Sequence, residues 1–376
     1  MRASVMSRRV WVLVGVLLAV LTITVVARGQ ADKRQQWASS KHANRELARA
    51  QATVENRGAT AAHCGRCHSE QGFLAWLPQL EKGNPGLITK PDGSPADVAY
   101  LTNLGLTRFS VRPQTCAACH KADFSVRVTA TTPVLPAGFR ALGVGLGAQC
   151  MVCHNTRNGA ITWNATDPRR YTAPHTAAQA DVIMGKNAFF VPPAEAPISP
   201  HASFIGDACV TCHMRFAKES HTFQVQPGAV CARCHGAEMN ASRVQNGIKT
   251  LLHEVEVAIG AKVLAAKDRI AVITNWDPKT DKDTPDFKVD PTQIVSVGLA
   301  EIHGQQGLKF DLRSGAAWYS QLGSVMDANN RPVFATGDPI VRAGWNYWLI
   351  EGDDSFGVHN PRFVRTVLLA TLDALR

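Results

Sequence analysis

Four stretches of the chain carry a clear hydrophobic pattern, one near its start and three after residue 247. Val10 to Val26 is apolar throughout, broken only by Gly15, Thr22 and Thr24. From Ile248 to Ile273 apolar residues recur at helical spacing, with Ile248, Leu251, Leu252, Val255, Ile259 and Val263 on one face. Asp338-Pro339 places Pro at a first helical position and predicts a helix to about Glu351. Asn360-Pro361 predicts another, reaching the C-terminus with Phe363, Val367, Leu368 and Leu372 on one face. Residues 32 to 56 read as helical but polar, with Trp37 and His42 their notable members. Elsewhere, Gly/Pro-rich stretches such as Lys82 to Pro95 and Pro133 to Gly147 read as loops, and residues 275 to 291, charged and Pro-bearing, as an exposed excursion. Strand patterning is sparse, so the predicted fold class is mainly α with extensive loops.

Arg2, Arg8 and Arg9, with no acid among them, precede the apolar run, which is the layout of an export signal. The run is slightly long for a cleaved signal and short for a membrane span. Residues 1 to 31 are therefore either a signal peptide, cut near Ala27 or Ala31, or an N-terminal membrane anchor. Either way the protein is expected outside the cytoplasm: periplasmic, anchored to the inner membrane, or at the cell surface.

The length of 376 residues allows one large domain or two to three small ones. The formal charge of +10 taken alone points to nucleic acid or an anionic membrane. Four of those charges, Arg2, Arg8, Arg9 and Arg28, sit in the export segment, and no Lys/Arg stripe is interleaved with aromatics. Nucleic-acid binding is not expected.

The cysteines change the picture. All ten fall into one repeated pattern: Cys64-Gly-Arg-Cys67-His68, Cys116-Ala-Ala-Cys119-His120, Cys150-Met-Val-Cys153-His154, Cys209-Val-Thr-Cys212-His213 and Cys231-Ala-Arg-Cys234-His235. Chance would produce such a pattern on the order of 0.01 times in a chain of this composition. Two thiols three residues apart reach the two vinyl groups on one edge of a haem, and the next histidine then lies under the iron. Zinc ligation and disulfides leave the five histidines unexplained, and a thioredoxin-like redox motif occurs once, beside a βαβ pattern. The expected cofactors are five covalently bound haem c groups. Their carboxylates would add about −10 if all ionised, cancelling the basic charge. Covalent attachment lets a loop-rich chain keep large apolar groups that themselves fill the core. The predicted organisation is a pentahaem-binding region over residues 32 to 240 and a C-terminal helical region over 241 to 376 packed on it.

The thirteen histidines leave eight outside the motifs: His42, His63, His175, His201, His221, His253, His303 and His359. Cys209-Val-Thr-Cys212-His213-Met214 followed by His221-Thr222-Phe223, and Phe356-Gly357-Val358-His359-Asn360-Pro361, resemble the pentahaem cytochrome c nitrite reductase superfamily and its bis-His relatives, which include octahaem reductases and bacterial extracellular electron conduits. Trp37-x-x-Ser40-x-His42 and Pro174-His175-x-x-x-Gln179-x-Asp181 resemble the same relatives. By motif order the resemblance covers most of residues 37 to 376. It implies distal ligands in order: His42 to the Cys150 motif, His201 to the Cys231 motif, His221 to the Cys116 motif and His359 to the Cys209 motif. In the nitrite reductases the first haem is catalytic and open, usually with Lys replacing the motif histidine. This chain has His68 there. Only His175 stands in the right order to approach it. If His175 ligates, the protein transfers electrons in respiration between redox partners, namely a quinol-oxidising membrane cytochrome and a terminal reductase or other cytochromes. If it stands off, an open first haem would reduce nitrite, hydroxylamine or a sulfur oxyanion. Carriage is the favoured expectation. A homo-oligomer or filament, with His42 or His63 donated between subunits, is a third reading. The Trp345, Tyr347, Trp348 cluster reads as core packing.

Overall fold

The computed structural model describes residues 32–157, 174–216, 218, 220–277, 282–302, 305–320, 325–335 and 337–376. Residues 1–31, where an export signal or membrane anchor is expected, and His303 lie outside them. Among the described residues, no helix is long and apolar enough to cross a membrane.

The N-terminal part is short helices joined by loops. Residues 32–38 are helical. They are followed by α1 (Arg45–Ala52), α2 (Ala61–His68), α3 (Glu70–Glu81), α4 (Cys116–Cys119), α5 (Gly147–Met151), α6 (Gln179–Ile183) and α7 (Pro227–His235). Side-chain caps start several of them. Asn44 accepts from the Leu47 amide, Ser69 from Gly72 and Thr115 from Ala117, satisfying donors a helix start leaves open. The interior here is Phe73, Trp76, Leu80, Ile88, Leu101, Leu106, Leu135 and Met151, all essentially inaccessible.

The C-terminal part has its own core. Helix α8 (Ala241–Ala265) buries Ile248, Leu252, Val255, Ile259 and Val263 along one stripe. Helices α9 (Pro339–Glu351) and α10 (Pro361–Ala374) begin where the Asp-Pro and Asn-Pro pairs predict. Asp338 accepts from the Ile340 amide and Asn360 from Phe363. In α10, Phe363, Val367 and Leu368 are buried and Leu372 is half-buried, with Val364 and Thr371 completing the face.

Between α8 and α9 the structure departs from the helical expectation. The helical face ends at Ala265, and Ile273 belongs to a strand. Strands β1 (Val272–Asp277), β2 (Lys282–Lys288), β3 (Ile294–Ile302), β4 (Gln305–Leu312), β5 (Ala317–Ser320) and β6 (Val325–Met326) form two antiparallel three-stranded sheets, ordered β2-β1-β6 and β3-β4-β5. Residues 275–291, expected as an exposed excursion, supply part of β1 and all of β2. The proline in β2 is tolerated because β2 is an edge strand. In β4, Leu308, Phe310 and Leu312 are buried while Lys309 and Asp311 face outward, the period-two signature of a half-buried strand. Gly260 lets α8 lie directly on β3, since a Cβ there would sit 2.2 Å from the Val297 carbonyl oxygen. The aromatic cluster is core: Trp345 is fully buried and its indole donates to Asn187 O at 2.7 Å.

Candidate functional site

Each repeated motif is wound as about one helical turn. Helix α2 carries Cys64, Cys67 and His68, and α7 carries Cys231, Cys234 and His235. Helix α4 holds Cys116 and Cys119 with His120 as its C-cap, and Cys150 in α5 leads into Cys153 and His154. Cys212 and His213 lie in a π turn, Thr211–Arg215. The His120 amide donates to Cys116 O at 2.8 Å and that of His154 to Cys150 O at 2.9 Å, so one i to i−4 step joins the first thiol to the histidine. None of the ten cysteines pairs in a disulfide. Among the described residues no three His, Cys, Asp or Glu gather where a bare ion could be held.

The histidines gather instead in pairs. Ring centres stand 6.1 Å apart for His68 and His175, 6.5 Å for His120 and His221, 6.0 Å for His42 and His154, 6.3 Å for His213 and His359, and 6.1 Å for His201 and His235. Imidazole nitrogen binds a transition metal at about 2.0–2.1 Å, and the ring centre lies a little over 1 Å behind it, so two imidazoles across one ion put their centres roughly 6.3 Å apart. The structure therefore brings together every motif histidine and one non-motif histidine, at a spacing that fits an ion between them. His253 does not join a pair: its ring is 73% exposed on α8 and meets Glu256. His63 is half-buried and acts electrostatically on His175.

Second-nitrogen contacts orient these rings. His120 Nδ1 lies 2.8 Å from Phe124 O, His213 Nδ1 3.0 Å from Phe223 O, and His154 Nδ1 3.1 Å from Gln179 Oε1. His221 Nδ1 lies 3.0 Å from the Ser220 hydroxyl. A carbonyl can only accept, so in His120 and His213 the proton sits on Nδ1 and Nε2 keeps its lone pair. Burial favours the neutral imidazole: it lowers His42 and His68 to about 4, and pushes His175, His154, His213, His201 and His221 down as well. His359 is the exception. Burial works against its charge, but the neighbouring Asp353 carboxylate outweighs that and raises it.

The five pairs are connected. Cys67 lies beside Cys153, and Cys150 beside Cys209. Cys119 lies close enough to influence Cys150 and Cys153, and Cys231 and Cys234 to influence Cys212. The Cys150 motif is thus a hub touching the Cys64, Cys116 and Cys209 motifs, and the Cys209 motif continues to the Cys231 motif. Cys116 and Cys234 are exposed, which puts their two motifs at the periphery. Phe223, held at φ +60°, ties three sites together. Its ring packs 4.5 Å from that of His42 and 6.1 Å from that of His221, while its carbonyl accepts from His213.

Further residues complete the site, Gln179 and Asp181 of the Pro174–Asp181 stretch among them. Gln179 orients His154 and donates to Gly352 O and Asp353 O. Asp181, fully buried, accepts from the Thr156 amide and hydroxyl. Arg66 is 3% exposed and donates to Pro85 O and Gly86 O, yet its Nε is unpartnered, as is the buried Nε of Arg157. Both guanidiniums, with Arg57, act on Cys64, and neither Arg66 nor Arg157 has an acidic partner among the described residues. Buried positive charge with spare donors is what a group carrying carboxylates would satisfy.

No protein-family model matches the sequence, and comparison with curated proteins returns no match. Among solved structures, the crystal structure of the outer cell wall cytochrome OcwA superposes with a TM-score of 0.48 at 17% identity, over 92% of this chain and 50% of that one. The chain spans about half the length of that structure.

Proposed function

We propose that this chain is an exported pentahaem c-type cytochrome that carries electrons in bacterial respiration, in the periplasm or at the cell surface. The cysteines of the five motifs would hold haem c through thioethers. His68, His120, His154, His213 and His235 would be the proximal ligands, with His175, His221, His42, His359 and His201 as their respective distal ligands. The observation that supports this best is the set of five ring-centre distances, all between 6.0 and 6.5 Å, around the value that two imidazoles on one ion require. Haem iron, when bound, would supply one-electron redox chemistry.

The chain's own residues do the rest. Carbonyl partners on Nδ1 of His120 and His213 fix the tautomer that leaves the lone pair on Nε2, and burial favours the neutral, ligand-competent form of His42, His68, His154, His175, His201, His213 and His221. Arg66 and Arg157 would meet carboxylates of the group at the Cys64 motif. The proximity of the motif cysteines would put the Cys150 motif at the branch, beside the Cys64, Cys116 and Cys209 motifs. His175 faces His68 at the same spacing as the other pairs, which favours a closed first site and therefore carriage over reduction of nitrite, hydroxylamine or a sulfur oxyanion. Partners would be redox proteins reaching the peripheral Cys116 and Cys231 motifs.

The test is to produce the protein with c-type maturation machinery and titrate it electrochemically. Carriage predicts reversible reduction of five irons and no turnover of nitrite, hydroxylamine or sulfite. Steady catalytic consumption of any of these would overturn it in favour of a reductase.

A further inference from the structure

We propose that Asp353 holds the iron site of the Cys209 motif at a lower reduction potential than a neutral partner would, acting through His359 as a positioning residue. This rests on His213 and His359 being that site's ligands. Asp353 is 1% exposed, and its Oδ1 stands 2.6 Å from His359 Nδ1. Among the described residues no Lys or Arg pairs with it. Its Oδ2 accepts from the Ser355 hydroxyl, and that oxygen in turn receives the His359 amide at 3.1 Å. The carboxylate's position is fixed by its backbone, since Asp353 O accepts from Gln179 Nε2 at 3.1 Å.

The contrast with the other imidazoles carries the argument. Where their second nitrogens have partners, these are the carbonyls of Phe124, Phe223 and Gln179 or the Ser220 hydroxyl, all neutral. Of the ten paired histidines, only His359 meets a carboxylate among the described residues. A carboxylate draws the Nδ1 proton more strongly than an amide does and makes Nε2 a better donor. It also places a full negative charge beside the iron in a site of low dielectric, where water cannot screen it. Both effects favour the ferric over the ferrous ion. Sequence inspection passes over this residue because it lies six positions before His359, outside the Phe356 to Pro361 stretch.

The experiment is a spectroelectrochemical titration of holoprotein whose haem content has been counted. In Asp353→Asn, one of the five one-electron steps should move positive while the other four hold. A loss of ferric preference on the order of tenfold corresponds to about 59 mV for a one-electron couple. Ser355→Ala removes a donor from the carboxylate and should move the same step in the negative direction. If Asp353→Asn retains five haems and no step moves, or a step moves negative, the inference is wrong while the pentahaem reading stands. If Asp353→Asn fails to load haem, Ser355→Ala decides: a negative shift supports the inference and an unmoved step overturns it. Wild-type protein without five haems would instead overturn the pentahaem reading itself.

Discussion

The rings of His68 and His175 stand 6.1 Å apart, inside the 6.0 to 6.5 Å range of the other four pairs. Nothing in that spacing sets the first site apart from its neighbours. His175→Ala should therefore create an open position where none exists. One ferric iron in five should turn high-spin in electron paramagnetic resonance, and nitrite or hydroxylamine should then perturb its absorption. The same spectrum before and after the substitution would remove His175 from the ligand set.

Asp181 gives a pH dependence whose sign can be worked out. Burial pushes its carboxyl from 3.8 up to about 6, against the hydrogen bonds from Asn187 and Thr156. The folded state then binds the proton more tightly than the unfolded state does, so the stability linked to this group is fully present below about pH 4 and is lost as pH rises through about 6. Two units correspond to on the order of 3 kcal/mol. Wild-type denaturation midpoints should fall across this interval, and Asp181→Asn should flatten the fall. Parallel curves for the two proteins would show that the buried carboxyl is not the source.

Gly357 sits at φ +92°, and a Cβ there would lie 2.7 Å from Ile248 Cγ1 on α8. Gly357→Ala combines left-handed strain with a clash two residues before His359. It should cost about 1–3 kcal/mol and disturb the Cys209 site selectively. Gly83 is a control, because its φ is +85° but nothing lies within 4 Å of a Cβ. Gly83→Ala should cost only about 1 kcal/mol and leave every iron's spectrum alone. Equal thermal shifts in the two variants would show that contact with Ile248 is unimportant.

The legible parts of the fold were those governed by local rules. Asp338-Pro339 and Asn360-Pro361 mark helix starts because a side-chain cap and a missing amide act within one turn. The sheets were harder. Val272 and Ile273 follow the apolar face of α8 closely enough to extend it, and β2 reads Lys-Asp-Thr-Pro-Asp-Phe-Lys, a charged edge strand whose pairing is tertiary. Only β4, with Leu308, Phe310 and Leu312 alternating, shows its period outright. At the site, thiols and histidines are legible because covalent haem attachment demands fixed spacing. Asp353 lies just outside the Phe356–Pro361 stretch, and the buried Nε atoms of Arg66 and Arg157, unpartnered among the described residues, follow no spacing rule that a single sequence could show.

Five histidine pairs at one spacing call for five irons, each between the two rings of a pair. Purified, fully oxidised protein should contain five covalent haems per chain by mass, and electron paramagnetic resonance should show every ferric iron low-spin. Fewer than five haems, or a high-spin signal from the unmodified protein, would contradict it.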